Sequence, residues 1–132
     1  MSFERWATKV FQKAQNYTRE EIHDVLGGSI EDYLPTSGGR VVCGAFRPDA
    51  NPDAPIVILP GFGARIEGAA QLFAAQGTAV PVFLKRAVNQ WQYVGDFRVA
   101  RLSRDPDEIK KQEKRANRQG TISMVLYLER DS

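Results

Sequence analysis

The spacing of apolar residues predicts three helices in the first two thirds of the chain. Apolar residues recur every three or four positions over residues 3–15, which is typical of a helix with one buried face. Thr18 then has the character of an N-cap, so a second helix is expected over Arg19–Leu26, ended by Gly27-Gly28. A third helix is expected over Arg65–Gln76, where alanine and larger apolar residues make one side.

Short apolar runs bounded by glycine, proline, asparagine and aspartate predict strands between and after these helices. The expected strands are Arg40–Phe46, Ile56–Leu59, Val80–Arg86, Trp91–Ala100 and Thr121–Arg130. The third and fourth of them flank a turn at residues 88–90 and are expected to pair as a hairpin. Residues 105–120, which precede the last strand, are polar and predict a helix or a loop.

Side chains alternate in the second strand of the predicted hairpin. One face of this strand is expected to carry the residues that lie two or four positions apart, which are Trp91, Tyr93, Phe97 and Val99. The positions between them are mostly polar. This pattern is typical of a sheet with one face towards a core.

These elements predict an α+β fold. A parallel doubly wound sheet needs a regular alternation of strand and helix, which residues 80–100 lack. We therefore expect a small, curved sheet or an open β-barrel of about five strands with inserted helices. The 132 residues have the size of one domain. Within it we expect an N-terminal helix (1–16), a core (17–102) and a basic helix or loop with the last strand (103–132).

Composition excludes several classes of protein. No apolar run approaches the roughly 18 residues that a membrane span needs. The first residues mix charged with apolar side chains, unlike a secretory signal, so a cytoplasmic location is expected. Cys43 and His23 are the single cysteine and the single histidine, which excludes an internal disulfide and leaves few zinc ligands. Neither a metal nor a cofactor is expected.

Candidates for catalysis are few. His23 lies in an acidic helix and Cys43 in an apolar strand, and no nucleophile motif accompanies either residue. Residues 61–65 follow a strand and open a helix, where free backbone N–H groups could hold one phosphate. An ordinary strand-to-helix turn has the same sequence pattern, and the glycine spacing of a nucleotide-cofactor loop is missing. We therefore do not expect an enzyme.

Charge is distributed unevenly along the chain. Residues 1–64 hold 6 basic and 8 acidic side chains, whereas residues 65–132 hold 12 and 8. Arginine outnumbers lysine by 12 to 6, and the guanidinium group fits phosphate and stacks on flat rings. This favours a polyanionic partner, although a solvated basic face would have the same composition.

Aromatic and basic side chains lie close together along the predicted hairpin. A domain that binds one extruded base needs ring walls, an amide for the base edge and a cationic rim, and stacking on a ring contributes about 1–3 kcal/mol per base. The candidate nucleic-acid-binding residues are Tyr33, Arg40, Arg65, Phe83, Lys85, Arg86, Asn89, Trp91 and Tyr93. Trp91, Tyr93 and Phe83 would form the wall, Asn89 would contact the base edge, and the basic residues would contact phosphates. Alternatively, several of these rings are buried in the hydrophobic core and do not contact a ligand.

Four segments carry a resemblance to a known group of proteins. They read YTREEIHDVLGG, GRVVCGAFRPDANPDAPIVILPG, VPVFLKR and NQWQYVGDFRV and lie within residues 17–102. In this order they resemble the N-terminal DNA-reader regions of modification-dependent (McrA-like) HNH restriction endonucleases. The W-x-Y-x-G-x-F-x-V strand is also similar to PUA-like and SRA-like domains, which bind modified or flipped bases.

The resemblance implies a non-catalytic reader of DNA that recognises a modified base, for example methylated cytosine, in a pocket of the sheet. The chain has no HNH motif, so a nuclease would have to be supplied by a longer protein or by a partner. Two other functions remain open, namely an RNA- or nucleotide-binding module and a protein-interaction domain whose helix at 105–119 binds an acidic partner. The sequence does not define the oligomeric state.

Overall fold

The computed structural model describes residues 10–131, so residues 3–9 of the predicted N-terminal helix lie outside the described part. The prediction is wrong for residues 11–15, which turn instead of continuing a helix. The cause is aromatic packing, because the Phe11 ring lies 5.0 Å from the rings of both Tyr17 and Phe83. Ala14 has a positive φ of 71°, which lets the chain reverse into the strand that follows.

Three helices lie wholly within the described residues, and they are α1 (Arg19–Leu26), α2 (Ala64–Gln76) and α3 (Pro106–Ala116). The strands are β1 (Asn16–Tyr17), β2 (Thr36–Ser37), β3 (Arg40–Val41), β4 (Gly44–Phe46), β5 (Val57–Ile58), β6 (Val80–Ala87), β7 (Gln90–Ser103) and β8 (Val125–Arg130). Each predicted helix after residue 18 is confirmed. The Thr18 hydroxyl caps α1 in a reciprocal pair with the Glu21 side chain.

The main sheet is mixed and open, with strand order β4-β6-β7-β8-β5 and with β1 added beside the start of β7. Among residues 10–131, β4 and β6 are the one parallel pair of this sheet, and the other pairs are antiparallel. The α+β fold class is therefore confirmed. The strand predicted over Arg40–Phe46 is divided, because β3 pairs with β2 in a separate two-stranded sheet whereas β4 joins the main sheet.

The predicted hairpin is confirmed as β6 and β7, but the predicted alternation along β7 is wrong after Tyr93. The pairing register shifts by one residue, so Val94 is extra, and Gly95 has a φ of 122° that favours glycine. Trp91 and Tyr93 therefore belong to one core cluster and Phe97 to another.

Helices cover both faces of the sheet. One cluster of apolar side chains packs Ala70 and Phe73 of α2 against the sheet. A second cluster packs Ile22 and Leu26 of α1 against the opposite face of β6 and β7, since its member Phe83 alternates with residues of the first cluster. No helix of the described part is long and apolar enough to cross a membrane.

Candidate nucleic-acid interface

A cavity of about 460 Å³ lies near the turn of the β6–β7 hairpin, where Lys85 and Trp91 line it. Binding sites for small molecules commonly have volumes of about 300–1,000 Å³, so one nucleotide-sized group is in the right range. Three aromatic and four basic side chains line it. They are Tyr33, Phe46, Trp91, Arg19, Arg47, Lys85 and Arg118. Glu31 is the one carboxylate that lines it among the described residues.

Trp91 forms part of the cavity wall together with two cations. Its side chain is 7% exposed, and Lys85 lies directly opposite it on β6. The guanidinium carbon of Arg19 lies 5.1 Å from the centre of the indole ring, and the Lys85 Nζ atom lies 5.9 Å from it. Both distances are within the range of a cation–π interaction. The indole therefore holds two positive charges at the cavity.

Arg19 is buried and is held by neutral groups. Its Nη2 atom donates hydrogen bonds to the carbonyl oxygens of Ser29 at 3.0 Å and Asp32 at 2.8 Å. The Asp32 carboxylate itself pairs with Arg65, at 2.6 Å. Burial lowers the pKa of Arg19, although a guanidinium group stays protonated at neutral pH. Because carbonyl oxygens carry no formal charge, the positive charge of Arg19 has no paired carboxylate in the described structure.

Arg118, which also lines the cavity, is held by neutral groups in the same way. Its Nη1 atom donates to the carbonyl oxygens of Ala50 and Leu59, each at 2.9 Å. Burial lowers its pKa as well, and it makes no ion pair within the described residues. Lys85 likewise has no carboxylate partner in the part of the chain that is described. Three cations without a salt bridge thus line one cavity, which favours an anionic ligand.

Sequence reasoning missed three of the cations that line the cavity, namely Arg19, Arg47 and Arg118. Arg19 carries one available signal, because it occupies the first turn of a helix, where the helix dipole disfavours a positive charge. An unfavourable residue at such a position indicates a partner elsewhere in the fold. Arg118 follows α3 without any comparable local signal.

The other rings predicted as the wall have different places. Phe83 and Tyr93 are fully buried in the cluster beneath α1 and do not line the cavity. The Tyr93 hydroxyl donates to Asp96 at 2.6 Å within the core. Tyr33, by contrast, lines the cavity and donates its hydroxyl to the carbonyl oxygen of Ile66 at 2.5 Å. Burial raises the pKa of Tyr33, so this hydroxyl remains a donor.

Asn89, predicted to contact a base edge, instead fastens the hairpin turn to α1. Its Oδ1 atom accepts a hydrogen bond from the backbone N–H of Arg19, and its Nδ2 atom donates to Glu20, each at 2.9 Å. Its φ of 49° suits asparagine in a tight turn. Both the oxygen and the nitrogen of the Asn89 amide therefore already have hydrogen-bond partners. The bond that the amide donates to the Glu20 carboxylate lowers the pKa of Glu20.

The remaining predicted cations lie outside the lining of this cavity. Arg40 on β3 donates to the Thr78 hydroxyl at 2.6 Å, and Arg86 donates to Gln92 at 2.8 Å. Arg65 lies in the pair with Asp32 described above. The backbone N–H of Gly63 donates to the Glu67 carboxylate at 3.0 Å. A side chain of α2 itself therefore binds this N–H group at the start of the helix, the place where the sequence allows a phosphate. The interpretation of residues 61–65 as an ordinary turn fits this contact.

Neither candidate for covalent chemistry lines the cavity. Cys43 is completely buried, and burial raises the pKa of its thiol to about 12. The Nδ1 atom of His23 lies 2.5 Å from the carbonyl oxygen of Gly28, where it closes the end of α1. Among residues 10–131, no three side chains of His, Cys, Asp and Glu are grouped so that they could hold a metal ion.

Cys43 is expected to resist a thiol reagent in the native protein at pH 8. The thiolate is the reactive form, and a pKa of about 12 with full burial leaves very little of it. Reaction with Ellman's reagent should therefore be slow in buffer and rapid in denaturant. Since the chain has one cysteine, the absorbance change reports this residue alone. Equal rates in the two conditions would contradict the buried position.

The fold and the site define an α+β domain with an aromatic, cation-lined cavity beside strands β4, β6 and β7 of a mixed sheet. The chain belongs to a family described as a domain of unknown function, DUF6697, and the family model matches residues 16–124. The matched range includes every residue named above as lining the cavity. No curated protein and no solved structure matches the chain.

Proposed function

We propose that the protein is a non-catalytic nucleic-acid reader that acts in the cytoplasm and takes one unpaired base of DNA into the cavity. The observation that carries this proposal is the combination of Trp91 with Arg19 and Lys85, whose positive charges no carboxylate in the described structure pairs. A nucleotide has the complementary composition, with a flat π-system next to a phosphate. A nucleotide therefore accounts for both the aromatic and the cationic groups of the cavity wall.

The base would lie among the flat groups of the lining. The Tyr33 ring is partly exposed there, and the planar Arg19 guanidinium, whose carbon lies 5.1 Å from the centre of the Trp91 ring, also lines the cavity. Stacking of this kind contributes about 1–3 kcal/mol per base and tolerates different bases. Selection of a modified cytosine rests on the resemblance described above and is a separate part of the proposal.

The proposal is tested by titrating the protein with fluorescent duplexes that carry methylated, hydroxymethylated or unmodified cytosine, and with a duplex that contains one unpaired base. We expect binding at low salt that is tightest for a modified or unpaired base, because extrusion then costs less or the cavity gains contacts. Tighter binding of RNA of the same sequence would favour the RNA-binding alternative. Absence of binding to every nucleic acid at low salt would overturn the proposal.

The protein-interaction alternative receives less support from α3. Its basic residues are interleaved with acidic ones, and Arg115 pairs with Asp53 at 2.7 Å. Arg101 of β7 also pairs with Glu108 of this helix, at 3.1 Å. Over its whole length α3 carries four basic and three acidic side chains, so its net charge of +1 gives an acidic partner little attraction.

Substitution of Lys85 by glutamine is expected to weaken binding of all nucleic acids alike, by about five- to tenfold at low salt. Removing one phosphate contact should also reduce the slope of log affinity against log salt concentration by about 1. Lys111→Gln serves as the matched control, since Lys111 is exposed on α3 and lies outside the lining of the cavity. Anisotropy titrations at several salt concentrations measure both quantities. Equal effects of the two substitutions would contradict a role for Lys85.

A further inference from the structure

A second, more open cavity of about 400 Å³ adjoins the first one. Its lining includes Arg47 and Lys85, which also line the first cavity, and it continues to Arg86 near the end of β6. The two cavities therefore meet at a pair of cations, and together they form a track along the hairpin.

The track carries a net positive charge. Arg86 is held by the neutral amide oxygen of Gln92 and makes no ion pair within the described residues. Asp49 is the carboxylate in the lining of the second cavity, and Arg47 pairs with it at 2.9 Å. Both partners of that pair are largely exposed, and such a pair contributes only about 0–1 kcal/mol, so an incoming phosphate can replace Asp49 as the partner of Arg47.

We propose that the ligand of the first cavity is a polynucleotide strand and not a free nucleotide. This inference rests on the function proposed above and specifies its ligand. One base occupies the first cavity, its own phosphate lies at the junction formed by Lys85 and Arg47, and the neighbouring phosphate of the same strand lies at Arg86. A free nucleotide would use the first cavity and the junction but would leave the second cavity empty.

The test compares a deoxynucleoside monophosphate with a single-stranded DNA of six nucleotides on the wild-type protein and on Arg86→Gln. We expect the oligonucleotide to bind wild type at least about tenfold more tightly, because it makes the additional contact in the second cavity. Arg86→Gln should weaken the oligonucleotide several-fold and reduce its salt slope by about 0.7, the contribution of one phosphate on a single strand. Binding of the monophosphate should not change.

Arg130→Gln is the matched control, because Arg130 is also an exposed arginine without an ion pair in the described structure and lies outside both linings. Equal affinity of wild type for the two ligands, or equal effects of Arg86→Gln and Arg130→Gln on the oligonucleotide, would overturn the strand inference while leaving a nucleotide site in place. If neither ligand binds wild type at low salt but the duplexes described above do, the strand inference fails and the proposed function stands. If those duplexes do not bind either, both fail.

Discussion

Trp91→Leu is expected to weaken nucleic-acid binding by roughly 2- to 30-fold, which corresponds to the loss of about 0.5–2 kcal/mol of cation–π contact that positions the two cations. Leucine keeps an apolar side chain in the cluster beneath α1 but removes the ring that holds Arg19 and Lys85. Because the leucine is smaller, a loss of about 1–3 kcal/mol in the free energy of unfolding is expected as well. Binding must therefore be measured at a temperature where urea titration shows the variant to be folded.

Trp91→Phe distinguishes the effect of losing the aromatic ring from the effect of losing side-chain volume. Phenylalanine is also smaller than tryptophan, so it lowers stability, but it retains a π-face for the two cations. We expect Trp91→Phe to keep most of the binding that Trp91→Leu loses. If the two folded variants bind equally well and as tightly as wild type, the ring at this position has no part in ligand binding.

Arg19→Met is expected to lower both stability and binding. Methionine has a similar reach but no donor, so the carbonyl oxygens of Ser29 and Asp32 lose their shared hydrogen-bond partner. Leaving such groups unsatisfied costs about 1–3 kcal/mol, and the lost positive charge should weaken binding at low salt about tenfold or more. Urea denaturation followed by tryptophan fluorescence gives the first quantity, and anisotropy gives the second.

Arg19→Lys tests whether charge or geometry matters at this position. Lysine keeps the charge but lacks the planar guanidinium group, whose Nη2 atom donates to both carbonyl oxygens while its carbon lies 5.1 Å from the centre of the Trp91 ring. We expect part of the binding to return while stability stays below that of wild type. Wild-type stability of Arg19→Met would mean that water replaces the guanidinium group at both carbonyl oxygens, contrary to the positioning role described here.

Sequence reasoning succeeded where the structure is local. Thr18, Glu21 and Gly27 fix the ends of α1 by contacts within a few residues, and the hairpin follows from two strands joined by a short turn. It failed where packing between distant segments decides. The bulge at Val94 depends on how β6 pairs with β7, and the turn after Phe11 depends on rings that come from β1 and β6.

The site was predictable only in part, for the same reason. Lys85 and Trp91 are neighbours across one hairpin, so the sequence places them together and they line the cavity. Arg47 and Arg118 reach the cavity from segments that are far apart in the chain. Tyr93 is only two residues further along β7 and belongs to the same cluster as Trp91, but its ring packs against Phe11 and Phe83 and does not line the cavity.

The ends of the sheet have a consequence for self-association. The terminal strands β4 and β5 are 3 and 2 residues long, so each offers few free backbone groups to a strand from another molecule. The pairing of β4 with β6 stops at Leu84, and the residues of β6 beyond it include Lys85 and Arg86. Positive charges on an open edge repel a second copy of the same edge. The cations that form the proposed track thus also protect this side of the sheet against aggregation.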